Sequence, residues 1–317
     1  MQKLNILYFG TPALSAEVLK LLLNDSSLPI TIKAIVTQPD KKVGRKQILT
    51  PSSVKVLAKE HNIPVIENLE ELKTLQNIDL AILFAYGKII PEWLLTLPKF
   101  GFWNIHPSLL PKYRGASPTT FPLLMGESQT GVTLMQMDAQ LDHGDIIEQK
   151  EFPISDSDTK NTVEKQSVEI AFDLLKKYLG NLSEQKNIPH SPQNHEYATF
   201  TRLLQKKDGY IPFSLIKAGI NGVKSSSIDI SPVITEYRKK FSSDQLLDTP
   251  AMIIDRLFRA LSPWPGTWTM ININSEEKRL KITDVILEHE KLIIKKVQLE
   301  GKKEVDWETF QKAYSLR

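Results

Sequence analysis

Two side chains of complementary reactivity, Asn104 and His106, head the segment Asn-Ile-His-Pro-Ser-Leu-Leu-Pro-Lys-Tyr-Arg-Gly-Ala-Ser-Pro, residues 104–118. The residues Gly101 to Ile105 read as a strand, and alternate strand residues share a face, so the amide and the imidazole project to one side. Strand ends of an open α/β sheet are where ligands bind. There an amide N–H can donate to an oxygen turning negative in a tetrahedral intermediate. An imidazole can stabilise the same oxygen and move protons near neutral pH. Acyl transfer is the chemistry that would use both. Taken alone, Asn-x-His reads first as a strand-capping amide beside a packed histidine, and as a reactive pair second.

Leu141-Asp142-His143-Gly144-Asp145 lies between two strand patterns, Gly131 to Met137 and Ile146 to Ile154. A carboxylate in that turn could orient His106 and hold its charged form. Asp142 or Asp145 serving only to shape the turn is an equally good reading of these residues. Gly10-Thr11-Pro12 looks like a nucleotide-binding first turn but lacks G-x-G-x-x-G, which weakens a dinucleotide reading. The spacings of His61, His106, His143, His190, His195 and His289 match no metal motif, and with no cysteine there is neither disulfide nor thiolate chemistry.

These residues need a scaffold, and the apolar periodicity supplies one. Asn5 to Phe9, Thr31 to Thr37, Asp79 to Tyr86 and Gly101 to Ile105 read as strands. Helical spacing appears over Ala13 to Leu23, from Ser52 or Ser53 to about His61, near Pro91 to Leu97, and over Thr162 to Tyr178. The Pro/Gly/Lys-rich stretch Gln38 to Pro51 reads as a loop. The alternation predicts a doubly wound, mostly parallel α/β sheet of Rossmann-like type. Trp268 to Ile273, Leu280 to Leu287 and Lys291 to Leu299 read as short strands, which suggests a small OB-like β-barrel after the α/β part. The expected domains are 1–188, a linker 189–208, and 209–317. Residues 214–248 have only weak periodicity.

With 41% apolar and 24% charged residues, the chain has the composition of a globular protein. No apolar run approaches the roughly 20 residues that span a bilayer, and the opening residues do not form a secretory signal. A cytoplasmic protein is the expectation, with the lack of cysteine in keeping. Residues 1–190 carry a net charge of −1 and residues 191–317 a net of +4. That small excess permits a nucleic-acid partner without requiring one.

Residues 104–118 followed by Gly131 to Asp145 (GVTLMQMDAQLDHGD) resemble the folate-dependent formyltransferase family. In that family an Asn-x-His pair, a Ser-Leu-Leu-Pro stretch and a later Asp mark the formyl-transfer site. The resemblance therefore implies catalytic roles for Asn104, His106 and Asp142. It also implies folate contacts from Ser108, Leu109, Leu110 and Pro111, from Asp138, and from backbone near Phe84, Tyr86 and Gly87. The co-substrate implied is 10-formyltetrahydrofolate, with no metal. Three further segments point to the branch that formylates the α-amino group of initiator methionyl-tRNA. They are Phe9 to Pro12 with Val36 to Asp40; the basic run Lys41, Lys42, Arg45, Lys46; and Ser262 to Gly266 with Lys302 and Lys303. The basic residues would contact tRNA, and 209–317 would be its OB-like tRNA-binding domain. A small-amine acceptor, such as an amino sugar nucleotide or glycinamide ribonucleotide, and a non-catalytic RNA-binding module are the rival readings. A monomer with no membrane partner is expected. Pro107 stands where the family often has Gly, and an apparent insertion around 213–250 matches nothing in the family pattern.

Overall fold

A computed structural model describes residues 3–44, 46–223, 231–241 and 248–314, with backbone alone for 238–241. Arg45 and parts of the 213–250 stretch lie outside the described residues. The chain divides into two compact units. The first comprises Met1–Pro118, Gln129–Pro153 and Thr162–Thr201; the second comprises Thr119–Ser128, Ile154–Asn161 and Arg202–Arg317.

In chain order the first unit runs β1 (Leu4–Gly10), α1 (Ala13–Asn24), β2 (Ile30–Val36), β3 (Lys41–Val43), β4 (Ile48–Thr50), α2 (Ser53–Glu60), β5 (Val65–Ile66), β6 (Leu80–Phe84), α3 (Glu92–Leu95), β7 (Phe102–His106) and β8 (Arg114–Gly115). After α4 (Thr120–Met125), which belongs to the second unit, come β9 (Gln129–Gln136), β10 (Ile146–Pro153), α5 (Lys160–Ser183) and β11 (Phe200–Thr201). The stretch read as a loop contains the two-stranded hairpin β3–β4. Of the two candidate caps for α2, Ser52 is the one whose hydroxyl accepts from Lys55 N, at 3.0 Å.

One seven-stranded sheet has the order β10-β9-β7-β6-β1-β2-β5. Strands β5, β2, β1, β6 and β7 are parallel, and β9 and β10 follow antiparallel. The central strands LNILYFG, LAILF and FWNIH are buried almost throughout. Near-continuous apolar runs are what strands covered on both faces require. From β1 the chain builds outward through β2 to β5, then returns to place β6 on the other side of β1. Strand order thus reverses between β1 and β6, and the crevice outside their carboxyl ends is where such sheets bind ligands.

The segment expected as a linker does not hang free. Ser191 forms a bridge with Ile146, Gln193 is buried, and Phe200–Thr201 pairs in parallel with Arg114–Gly115. Residues up to Thr201 thus belong to the first unit.

The second unit contains α4, α6 (Phe213–Ile220), α7 (Pro232–Phe241), α8 (Pro250–Leu261) and a meander of β12 (Thr267–Ile273), β13 (Glu276–Glu288), β14 (Lys291–Leu299) and β15 (Glu304–Asp306), closed by α9 (Trp307–Tyr314). Helix α8 starts on a Thr249 cap with Pro250 in its first turn, and packs Ala251, Ile254, Leu257 and Leu261 inward. The antiparallel sheet has the order β12-β13-β14-β15, and register shifts near Asp284 bend β13. A bridge from Tyr210 to Trp268 extends the β12 edge, and among the described residues no pairing joins β15 to β12. The unit therefore carries a four-stranded antiparallel sheet backed by helices, in the place where the small OB-like barrel is expected.

One ion pair ties its first residues to α7. Arg202 grips Asp208 with both Nη atoms, at 2.7 and 2.9 Å, and reaches Glu236 at 2.8 Å. Asp208 is 1% exposed. Burial alone would push its carboxyl up, but the Arg202 fork and the Gln205 N–H outweigh it and hold it below the ordinary carboxylate value. Removing the cation leaves a buried charge without its partner, so Arg202→Met should cost about 3 kcal/mol of stability near neutral pH. Because the folded value is depressed, this contribution is present above about pH 4 and is lost as pH falls through the folded value. Thermal melts of both proteins from pH 7 to pH 2.5 should show the gap narrow on acidification.

Candidate active site

Strand β7 lies between β6 and β9, with Asn104 level with Leu83 on one side and Met135 on the other. Both Asn104 and His106 are buried, at 5% and 4% exposure. The structure brings Asp142 to them. Its Oδ1 accepts from Asn104 Nδ2 at 3.2 Å, and its Oδ2 lies 3.7 Å from His106 Nδ1. His106 Nε2 is 2.9 Å from the Tyr113 carbonyl. A carbonyl only accepts, so Nε2 carries the hydrogen and Nδ1 is the nitrogen left facing Asp142. Asp145, the alternative carboxylate, points elsewhere and pairs with His190 at 2.7 Å.

Asp142 has φ +47°, in the left-handed region. Asp tolerates this region better than most residues, and here several hydrogen bonds hold it there. Gly115 N donates to Oδ2 at 2.7 Å, and Gln193 Nε2 donates to the Asp142 carbonyl at 3.0 Å. The same Gln193 nitrogen donates to Gly144 O at 2.8 Å, while its Oε1 accepts from Arg114 Nη2 at 2.6 Å. Arg114 is 3% exposed and also donates to His195 Nδ1 at 2.8 Å. Burial lowers the pKa of Arg114, and the nearby carboxylates of Asp142 and Asp138 counter that. His195 stacks on His143 with ring centroids 3.9 Å apart, and its pKa is lowered by desolvation and by the positive side of His143 and Arg114. Neither Arg114 nor Gln193 stands out in the sequence. Arg114 sits inside a motif noted for other residues, and Gln193 lies in a Pro-flanked polar stretch that reads as linker.

The expected folate residues divide into those that can face the crevice and those committed to scaffolding. Phe84 and Tyr86 bury their side chains, with Tyr86 edge-on to Phe9 at 5.5 Å, so only their backbone is available at the end of β6. The Tyr86 carbonyl already accepts from Thr11 Oγ1 at 2.9 Å and Gln38 Nε2 at 2.7 Å. Gly87 has φ +78°, and a Cβ there would meet the Gln38 amide. The Ser108 hydroxyl donates to Lys112 O at 2.8 Å, so its side chain is spent on its own loop. Leu110 N donates to Thr133 Oγ1, Leu110 O accepts from Gln149, and Pro111 O accepts from Thr199 N. Leu109 lies over Gly131. Asp138 is occupied by His143 Nδ1 at 2.6 Å and by Gln140 N at 2.9 Å.

Lys41, Lys42 and Lys46 are exposed on the β3–β4 hairpin, beside exposed Val43, Ile48 and Leu49. Lys41 Nζ is bonded to Gln38 Oε1. Lys302 and Lys303 are exposed between β14 and β15, in the second unit. The structure does not bring these two groups into one described unit. Among the described residues, no group of three or more His, Asp or Glu side chains could hold a metal ion, and no helix is long and apolar enough to cross a membrane.

The turn before Asp145 depends on Gly144, where a Cβ would lie 1.9 Å from the Gln136 carbonyl oxygen. That contact is backbone and cannot rotate away. Gly144→Ala should displace the Asp142 loop and lower activity by roughly 100-fold, the usual consequence of a misplacement near 1 Å. Its melting temperature should fall as well, by the equivalent of about 1–3 kcal/mol. A Gly144→Ala protein with unchanged turnover would show that the loop does not depend on this glycine.

Residues 2–178 match the model of the formyl transferase family, and residues 246–292 match that of the formyl transferase C-terminal domain. A methionyl-tRNA formyltransferase of Caldicellulosiruptor saccharolyticus is 34% identical over 323 residues, covering 99% of this chain and 98% of its own length. One from Thermotoga maritima is 38% identical over 218 residues, covering 67% of this chain and 68% of its own length. Among solved structures, the sugar 3N-formyl transferase WlaRD, crystallised in the presence of dTDP and 5-N-formyl-THF, superposes with a TM-score of 0.61. It is 20% identical and covers 96% of this chain and 98% of its own. At that identity the likeness speaks to the fold.

Proposed function

The chain belongs to the formyl transferase family, and we propose that it transfers a formyl group from 10-formyltetrahydrofolate to the α-amino group of initiator methionyl-tRNA, in support of translation initiation. The observation that carries this reading is the convergence of Asn104, His106 and Asp142 at the carboxyl ends of the central strands. Similarity to methionyl-tRNA formyltransferases along 99% of the chain favours the tRNA acceptor over a small amine.

The deprotonated amine attacks the formyl carbon carried on N10 of the folate, with no covalent enzyme intermediate. The carbonyl oxygen becomes an oxyanion, which the Asn104 amide and a protonated His106 Nδ1 stabilise in a site withdrawn from water. Collapse breaks the carbon–N10 bond, and the proton released by the amine is delivered to N10. Two routes are open to it: Nδ1 of His106, or a water on the Asp142 carboxylate, whose oxygens keep free lone pairs beyond the bonds they accept. Asp142 Oδ2 also faces Nδ1 of His106, at 3.7 Å. The folate lies along the backbone of residues 84–87 and beside residues 108–111, and no step calls for a metal. Phosphate contacts come from Lys41, Lys42 and Lys46 with Arg45 in the first unit, and from Lys302 and Lys303 in the second.

The reaction is tested with purified protein, 10-formyltetrahydrofolate, and either charged Met-tRNA or amino sugar nucleotide as acceptor. Formylmethionyl-tRNA should form, and Asn104→Ala, His106→Ala and Asp142→Ala should each lower kcat by at least about 100-fold with smaller changes in KM. Transfer to the sugar in preference to the tRNA would reverse the acceptor assignment.

The hairpin is tested separately. Neutralising Lys42 and Lys46 together should raise KM for Met-tRNA while leaving folate-induced thermal stabilisation as it was. The salt dependence of tRNA affinity should flatten by about one unit of slope for each phosphate no longer neutralised. Unaltered tRNA kinetics across the salt series would make the hairpin a bystander.

A further inference from the structure

We infer that Gln193 is a positioning residue for the transfer reaction, acting through Asp142. The inference rests on the functional reading above, and it starts from the direction of β9. That strand runs antiparallel to β7, with Gln136 level with Trp103 and Met137 N bonded to Phe102 O. The loop that follows therefore begins at the end of β7 away from His106, and must fold back across the sheet face to bring Asp142 to Asn104 and His106. Its own base is closed early, by the bond from Gln136 N to Asp145 O at 2.9 Å. The side-chain bonds within the lobe, with Gln140 N and His143 Nδ1, fall on Asp138 and not on Asp142, whose φ is +47°.

Gln193 restrains Asp142 from outside the loop. A single buried amide nitrogen bonds the carbonyls of Asp142 and Gly144, at 3.0 and 2.8 Å, and so bridges the strained residue and the tight turn after it. The amide itself is oriented by Arg114, whose Nε and Nη2 both donate to Oε1, at 3.2 and 2.6 Å. With the oxygen so engaged, the NH2 group must face the loop. Arg114 is fixed in turn by the pairing of β8 with β11 and by His195. The neighbouring residue Gly115 gives its N–H to the Asp142 carboxylate. Backbone and carboxylate of Asp142 are thus located by one rigid piece made of Arg114, Gly115 and Gln193. Without the Gln193 donor, Asp142 is free to relax out of the left-handed region, and its carboxylate leaves His106.

Gln193→Glu separates this role from packing. It preserves volume and the bonds from Arg114 but turns an acceptor toward two carbonyls. Gln193→Met, which drops every polar contact, is the companion variant. Both should lower kcat by roughly 10–100-fold, with KM for folate and Met-tRNA within about twofold of wild type. Introduced into Asp142→Ala, the same changes should cost less than about twofold, because two residues that act as a unit do not add. Hydrogen exchange over residues 138–145 should quicken by at least about tenfold in Gln193→Glu, with β9 and β10 unchanged, and this readout is independent of which acceptor is used. Unchanged exchange, a wild-type kcat in Gln193→Glu, or equal losses in the presence and absence of the Asp142 carboxylate would each overturn the inference. Quickened exchange in a protein whose wild type formylates no Met-tRNA would uphold the clamp and reject the proposed substrate instead.

Discussion

The loop between β9 and β10 leaves the sheet at the end remote from His106, and the site exists because that loop is drawn back over the sheet face. Three hydrogen bonds on Asp142 do this, from Asn104 in the middle of β7, from Gly115 in β8 and from Gln193 beyond α5. Each comes from a different stretch of chain, so the site closes only when the sheet, the β8–β11 pairing and the returning segment are all in place. Local backbone preference works against the arrangement at Asp142, and tertiary hydrogen bonding overrides it.

The same arrangement accounts for a buried arginine beside Asp142. A guanidinium withdrawn from water needs compensation on several sides. Arg114 finds it in Gln193, in the nitrogen of His195, in the face of Phe200 at 5.9 Å, and in the nearby charges of Asp142 and Asp138. A guanidinium only donates, so His195 accepts through Nδ1, and desolvation with the neighbouring His143 and Arg114 lowers its pKa. His195, stacked on the half-buried His143, is thereby linked through Arg114 and Gln193 to the Asp142 carbonyl.

Much of this is legible in the chain itself. DLAILFAY announces a buried strand, the alternation of periods announces an α/β sheet, and the spacing of Asn104 and His106 puts both on one face. What stays hidden has physical reasons. Gln193 lies between Pro192 and Asn194 and looks like linker, because its importance comes entirely from partners distant in sequence. The β3–β4 hairpin exposes all six of its strand residues, so no hydrophobic alternation marks it. Helices α6 and α7 do space their buried residues helically, Leu215, Ile216 and Gly219 in one and Val233, Ile234 and Tyr237 in the other, but each is short and set among Ser- and Lys-rich residues that hide it.

The bond between His106 Nε2 and the Tyr113 carbonyl turns the imidazole into a one-ended carrier. A histidine with both nitrogens free can take a proton on one side of its ring and release it on the other, linking the reaction to bulk solvent. Here one nitrogen is permanently engaged against an acceptor that has no proton to exchange. In the proposed reaction, a proton that Nδ1 takes up leaves by the same nitrogen, on the same side. Such a geometry suits a reaction that moves a proton between two atoms of its own substrates, and suits poorly one that must exchange protons with water.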